Sequence, residues 1–157
     1  METTSRVPAA VDALLDILNT APALEAVRVV DGPLPVDVNS DPMALYIGYS
    51  RDGDQAVSLQ QSFAGAGART RDEEFSIACL AVARGGDKDM GLYRRKVFEM
   101  VAVVEAVLRA TNDDPTAPTL GGTVLWSELT AGGLTQDQDP DGPRAGLAFT
   151  VSCRARI

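Results

Sequence analysis

The sequence predicts an α+β domain in which a mixed or antiparallel sheet packs against two helices, and three observations carry that expectation. Apolar residues recur at helical spacing in two segments, about residues 8–19 and 89–111. Period-two alternation marks several other segments, and these follow one another in runs rather than alternating with helices. The chain has 157 residues, 45% of them hydrophobic and 23% charged, enough to bury one core without help from a disulfide or a metal.

The first helix opens near Pro8, where a missing N–H costs nothing because first-turn amides have no helical partner. Val11, Leu14, Leu15 and Leu18 form its apolar stripe, and Thr20, Ala21 and Pro22 end it. The segment 26–33 then reads as a short strand closed by Asp31-Gly32-Pro33, and a loop with three prolines follows. Met43, Leu45, Ile47 and Tyr49 lie on one side of a half-buried strand that ends at the turn Arg51-Asp52-Gly53-Asp54. The stretch Ala56 to Gly67 is weakly patterned and polar at Gln60, Gln61 and Ser62, which fits an edge strand or a mobile arm.

Glu73 to Arg84 alternates again, with Phe75, Ile77, Cys79 and Ala81 on one face. Leu80 and Val82 make its second half apolar on the other face, the pattern of a central strand covered on both sides. Gly85-Gly86-Asp87 breaks the chain before the long helix, whose stripe is Val97, Val101, Val104 and Leu108, widened by Met100 and Val107. Arg95/Glu99 and Glu105/Arg109 are spaced to pair on its outer side. Valine is a mediocre helix former, so tertiary packing must hold this helix. Asn112 to Pro115 and Gly121-Gly122 lead to a strand over Thr123 to Thr130 with Val124 and Trp126 on one face. Gly132-Gly133 reads as a turn, residues 131–143 as a protruding polar hairpin loop, and Arg144 to Ile157 as the most regular strand. No repeat, linker or low-complexity segment divides the chain, so a single domain spanning 1–157 is expected.

The chemistry the sequence excludes is as informative. There is no histidine, which removes the commonest general base and metal ligand and every Ser-His or Cys-His nucleophile pair. No phosphate loop, dinucleotide fingerprint, CxxC or HExxH is present. Neither a catalytic residue nor a metal or cofactor is therefore expected. Asp72, Glu73 and Glu74 are the strongest catalytic candidates, as oxygen ligands for Mg²⁺ in a nuclease. The lysines such a site wants, Lys88 and Lys96, fall beyond the strand, so a solvated strand entrance is the simpler reading. Asp137, Asp139 and Asp141 are spaced like calcium ligands, but Pro140 interrupts them and no glutamate closes the loop. Arg94, Arg95 and Lys96 read as a solvated helix face or an inter-subunit salt bridge; Trp126 reads as core, though Trp126 and Tyr93 are both suited to anchor an interface. Cys79 and Cys153 lie in apolar alternating segments and read as buried reduced thiols.

The net charge of −8 argues against a protein that grips duplex DNA by its phosphates, and favours solubility or a lumen that repels DNA. Residues 1–20 show no secretory signal and no segment reads as a membrane span, so a cytoplasmic protein is expected.

Several phrases together carry a resemblance: VDALLDIL in the first helix, GAGARTRDEEFSIACLAVARGGD, the helix RRKVFEMVAVVEAVLRA, LGGTVLWSEL, and the closing QDQDPDGPRAGLAFTVSCRARI. Over nearly its whole length the chain resembles the tail-terminator, or tail-completion, proteins of long-tailed phages, particularly those of actinobacterial hosts. That resemblance implies a structural virion protein assembled in the host cytoplasm and placed at the tail–neck junction. It implies a homohexameric ring that caps the tail tube, stops its polymerisation and meets the head connector, while DNA passes through the lumen without specific binding. The contacts with the next subunit and the tube are then expected in the polar excursions 51–72 and 131–143 and at the helix start, at Gln60, Gln61, Arg69, Arg71, Arg94, Arg95, Asp137 and Asp139. The rival readings are another head–tail connector or minor tail protein, a metal-dependent nuclease, and a monomeric ligand-binding domain with an apolar pocket.

Overall fold

Alternation over residues 71–84 and 142–156 produces two long strands, and the remaining elements are arranged about their pairing. In the computed structural model, which describes residues 4–33, 41–50, 55–65, 67 and 69–157, with Ala131 and Asp139 by backbone alone, eight elements follow in order. They are α1 (Val7–Thr20), β1 (Arg28–Asp31), β2 (Met43–Ile47), β3 (Val57–Phe63), β4 (Arg71–Arg84), α2 (Met90–Leu108), β5 (Trp126–Asp139) and β6 (Gly142–Arg156). The strands form a sheet in the order β1-β2-β4-β6-β5, with β3 also paired to β4. β1 and β2 run parallel and all other pairs antiparallel, so the chain has the expected α+β class and mixed sheet.

β4 pairs with β6 from Asp72↔Arg156 to Arg84↔Arg144. On its other edge β4 carries two strands end to end, β3 against Arg71–Ile77 and β2 against Cys79–Ala83. Phe75, Ile77, Cys79 and Ala81 of β4 and Leu147, Phe149, Val151 and Cys153 of β6 face one way, into the main core. Leu14 and Leu18 of α1 and Val97, Met100, Val104 and Leu108 of α2 close that core from above. On the opposite face a buried apolar cluster forms at one end, from Val30, Ala44, Tyr46, Leu80 and Val82. Double-sided burial therefore holds for the second half of β4, as its sequence predicts, and for that half alone.

Several expected boundaries move. α2 stops at Leu108 because Arg109 turns extended and Thr111 and Asp114 close a local turn, the Asp114 amide donating to the Thr111 hydroxyl at 3.0 Å. Arg95 reaches back to Asp89, the residue whose carboxylate caps the helix, instead of pairing with Glu99; Glu105 and Arg109 do pair. Thr123 to Leu125 lie in a turn, so Val124 is buried while Trp126, the first residue of β5, faces outward rather than into the core.

Gly132-Gly133 is not a turn: β5 passes through it with a bulge between Ala131 and Gly133 and stays paired with β6 to Asp139. A bulge accommodates one extra residue and sharpens the twist, a role glycine suits. The expected loop at 131–143 is thus a strand hairpin whose turn is only Pro140-Asp141. The expected arm at 51–72 is β3, a connection, and the start of β4; Arg51 to Asp54 lie outside the described residues.

The hairpin returns tightly against the β4–α2 connection. Gly142 has φ +130°, and a Cβ there would sit 2.3 Å from the Gly85 carbonyl oxygen. Backbone at that φ is strained for any other residue, and Gly85 offers no flexible side chain that could yield. Gly142→Ala is expected to cost about 2–4 kcal/mol. Thermal unfolding followed by circular dichroism should show a midpoint lower by about 2–4 °C per kcal/mol, whereas an unchanged midpoint contradicts this tight contact.

Candidate functional site

A strand sends successive side chains to opposite faces, and this separates the acidic triplet at the start of β4. Glu73 points into the core with 0% exposure, whereas Asp72 and Glu74 lie on the other face. Asp72 is held by Arg156 at 2.8 Å, with Arg154 at 3.8 Å, and the hydrogen bond from Arg156 keeps its carboxyl below the usual aspartate range. Among the described residues no three acidic or sulfur-bearing side chains converge to hold a metal ion.

Glu73 does structural chemistry instead. One carboxylate oxygen accepts from the Arg6 backbone amide at 2.8 Å and the other from the Gln61 side-chain amide at 2.6 Å. Gln61 also donates to the Thr4 carbonyl at 2.8 Å and accepts from the Arg71 guanidinium at 3.0 Å. The first amides of a helix have no internal partner and carry partial positive charge, so a buried carboxylate is stabilised there. Arg6 is the N-cap of α1, and its side chain makes no cap bond. Glu73, 67 residues along the chain, serves α1 in its place. The signal for this role was present in the sequence, because Glu73 shares the parity of Phe75 and Ile77.

The eight expected contact residues fall at two ends of the sheet. Gln61 and Arg71 belong to the Glu73 network; Arg69 is exposed in the β3–β4 connection, and Gln60 is exposed on the open face. At the other end Arg94 donates to Gln136 at 2.7 Å, tying α2 to the hairpin. Asp137 takes two hydrogen bonds from Arg144, at 3.0 and 2.9 Å, and Asp139 closes β5. Arg95 serves Asp89, and Lys96 lies over the Tyr93 ring. Tyr93 is buried, its hydroxyl accepting from the Asp87 amide at 2.9 Å, which removes it as an interface anchor. Both cysteines are buried free thiols on the core face, and burial pushes each up to about 12.

Accessible surface lies on the helix side, where Phe98 of α2 is 49% exposed and a groove of about 470 Å³ runs between Ile17, Val107 and Thr119, and along the sheet edges and open face. Among the described residues no strand pairs with the outer edge of β3, β1 or β5. Large apolar side chains sit out of the core beside two of these edges: Leu59 (51% exposed) and Phe63 (71%) on β3, with Leu125 (53%) and Trp126 (40%) at the start of β5. On the open face, Trp126 borders a groove of about 340 Å³ shared with Ser58, Gln60, Glu74, Ser76 and Ser152. A second groove, about 290 Å³, runs between Tyr49, Gln55, Ala148 and Thr135. Among the described residues these grooves are open troughs rather than enclosed apolar pockets. Among the described residues no helix is long and apolar enough to cross a membrane.

The chain matches no protein-family model and none of the curated proteins.

Removing the Glu73 side chain leaves the Arg6 amide and the Gln61 side chain without their acceptor in a buried setting, which costs about 1–3 kcal/mol. Glu73→Ala is therefore expected to lower the thermal midpoint by several degrees and to speed amide exchange in the first turn of α1. Unchanged exchange at residues 6–9 would remove Glu73 from this role.

Proposed function

We propose that this chain is a non-enzymatic virion assembly protein, a tail terminator of a long-tailed phage that closes into a homo-oligomeric ring of the hexameric kind. In this reading it caps the tail tube at the tail–neck junction, stops tube growth and meets the head connector. The sequence resemblance supplies the identity of the partners. One structural observation supports self-assembly: among the described residues the sheet ends in edges with no strand beside them, and these differ from each other, β1 and β3 on one side and β5 on the other.

Two different patches on one subunit make a heterologous contact, which generates a ring when its rotation closes. Exposed edges carry rows of unpaired N–H and C=O groups and pair readily with another strand, so proteins normally shorten or cover them. Here β5 is 14 residues long, and both edges carry uncovered large side chains. The charge of −8 suits a lumen through which DNA passes without adhering. The carboxylates that would support a nuclease are dispersed between two faces, with Glu73 committed to Arg6 and Gln61 and Asp72 to Arg156.

Negative-stain electron microscopy of the purified chain, alone and mixed with isolated tail tubes, tests the reading. Annular particles, and annuli seated at one end of the tubes, are expected. Compact single-subunit particles at every concentration together with bare tube ends contradict it.

A further inference from the structure

On the ring reading just given, we infer that copies join by hairpin insertion: β5 beyond its bulge lies in a notch beside β3 of the next copy. Phe63 falls opposite Leu134, Gln61 opposite Gln136 and Leu59 opposite Gln138. The notch is set by the registers. β1 pairs outside β2 and ends at Asp31, level with Cys79 of β4. β3 covers the levels of Ile77 to Arg71 and has no strand outside it among the described residues. This edge of the sheet is therefore recessed by one strand along β3 and stopped at one end by β1.

That step decides how copies can meet. Two copies set level would put β1 of one in the place of residues 131–135 of the other's β5, so the neighbour is displaced along the strands. Leu134 is level with Ala81 and Phe63 with Arg71, which makes the displacement ten residues. The turn Pro140-Asp141 then stops at the end of β1, and the bulge between Ala131 and Gly133 falls just past Phe63. The lengths agree, seven residues in β3 and seven from Gly133 to Asp139. β3 opposes β4, β4 opposes β6 and β6 opposes β5, so the inserted segment runs antiparallel to β3.

Backbone hydrogen bonding selects the same pairs. Arg71 and Ile157 exchange both of their backbone bonds, and in an antiparallel ladder such pairs recur at every second residue. Followed through the registers, this turns the N–H and C=O groups of Leu59, Gln61 and Phe63 out of the β3 edge and those of Leu134, Gln136 and Gln138 out of the β5 edge. All six residues share the helix side of the sheet with Phe75 and Leu147, so faces and hydrogen bonds match together.

The apolar surface matches too. α2 starts beside the hairpin tip, where Gly85 meets Gly142, and runs away from it. Arg94 reaches Gln136, and Phe98, one turn on and on the same side of α2, stands about 6 Å further along, over Leu134. Phe63, the most exposed large apolar side chain among the described residues, is thus covered by Leu134 and Phe98 of the next copy. Gly133 to Gln138 are all exposed although each pairs with β6, so this half of the hairpin gains a second neighbour where it has only one. The exposed parts of Leu59, Phe63, Phe98 and Leu134 amount to on the order of 400 Å², at about 200 Å² per large side chain. That is about a quarter of a standard interface of about 1,600 Å², and the backbone ladder with its polar flanks supplies the rest. The step between copies is about 33 Å along the strands and about 19 Å across them, so a ring closes with its strands oblique to the axis.

Cysteine cross-linking tests the contact. Ser62 and Thr135 are exposed and fall opposite each other across it, whereas within one chain they are about 36 Å apart, ten residues along and three strand spacings across, far beyond disulfide reach. The native thiols are buried and un-ionised. Mild oxidation of the double variant S62C/T135C should give a covalent ladder up to ring size, and neither single variant should. Phe63→Asp and Leu134→Asp should each give monomers with unchanged thermal unfolding. An equal mixture of these two should give dimers and nothing larger, because only one intact contact can form. An assembled double variant that fails to cross-link, a single variant that cross-links to itself, rings that survive either aspartate, or a mixture that stays monomeric or grows past the dimer would overturn the hairpin contact while leaving the ring reading intact. Wild-type monomers under all conditions, with or without tail tubes, overturn both.

Discussion

The pairing of β4 with β6 is the constraint on which the rest of the structure depends. Thirteen consecutive partners from Asp72↔Arg156 to Arg84↔Arg144 fix which side chains face the helices and which face away. A slip of β6 by one residue against β4 would exchange its two sets, turning Phe149 and Val151 to the open face and Arg154 and Arg156 into the core. The cost of burying those charges holds the register as firmly as the apolar contacts do. The same alternation disperses the acidic triplet, so the residues most suggestive of catalysis become one helix anchor and two surface groups.

Glu73 is the one position where this pattern carries a charge inward. The carboxylate is tolerated because donors converge on it: the amide that opens α1 and the Gln61 side chain, itself held by Arg71 and Thr4. The network joins the first helix, the edge strand β3 and the central strand β4 at a single point. An edge strand held by one ladder alone is weakly fixed, and Gln61 fastens it through its side chain as well as its backbone. β3 is thus kept in register although its outer side has no strand beside it among the described residues.

Much of this was legible beforehand. The two helices, their apolar stripes, the regular alternation of β6, the double-sided second half of β4 and the buried thiols all follow from periodicities strong enough to survive without tertiary context. The failures share one cause. β5 beyond Gly133 was hidden because Leu134 to Asp139 carry polar or lightly apolar side chains on both faces, and only the long partner β6 makes a strand of them. Gly132-Gly133 has the composition of a turn and the function of a bulge. Trp126 has the composition of a core residue but stands on an open face. Sequence periodicity records where a strand meets a hydrophobic partner, and it is silent where the partner is another backbone or another molecule. The candidate contact surface lies in that silent region: Gln60 is on it and Arg69 borders it, whereas Gln61, Arg71, Arg94, Arg95 and Asp137 are engaged within the subunit.

The central claim is that unlike edges of one sheet join copies of this chain into a closed assembly. Native mass spectrometry of the purified protein over a range of concentrations, with tail tubes added in a parallel series, tests it most directly. The account predicts one dominant closed species, an integral multiple of the 16.5 kDa subunit, with no larger members of a series beyond it. A monomer throughout both series, or an open-ended ladder of ever larger oligomers, would contradict it.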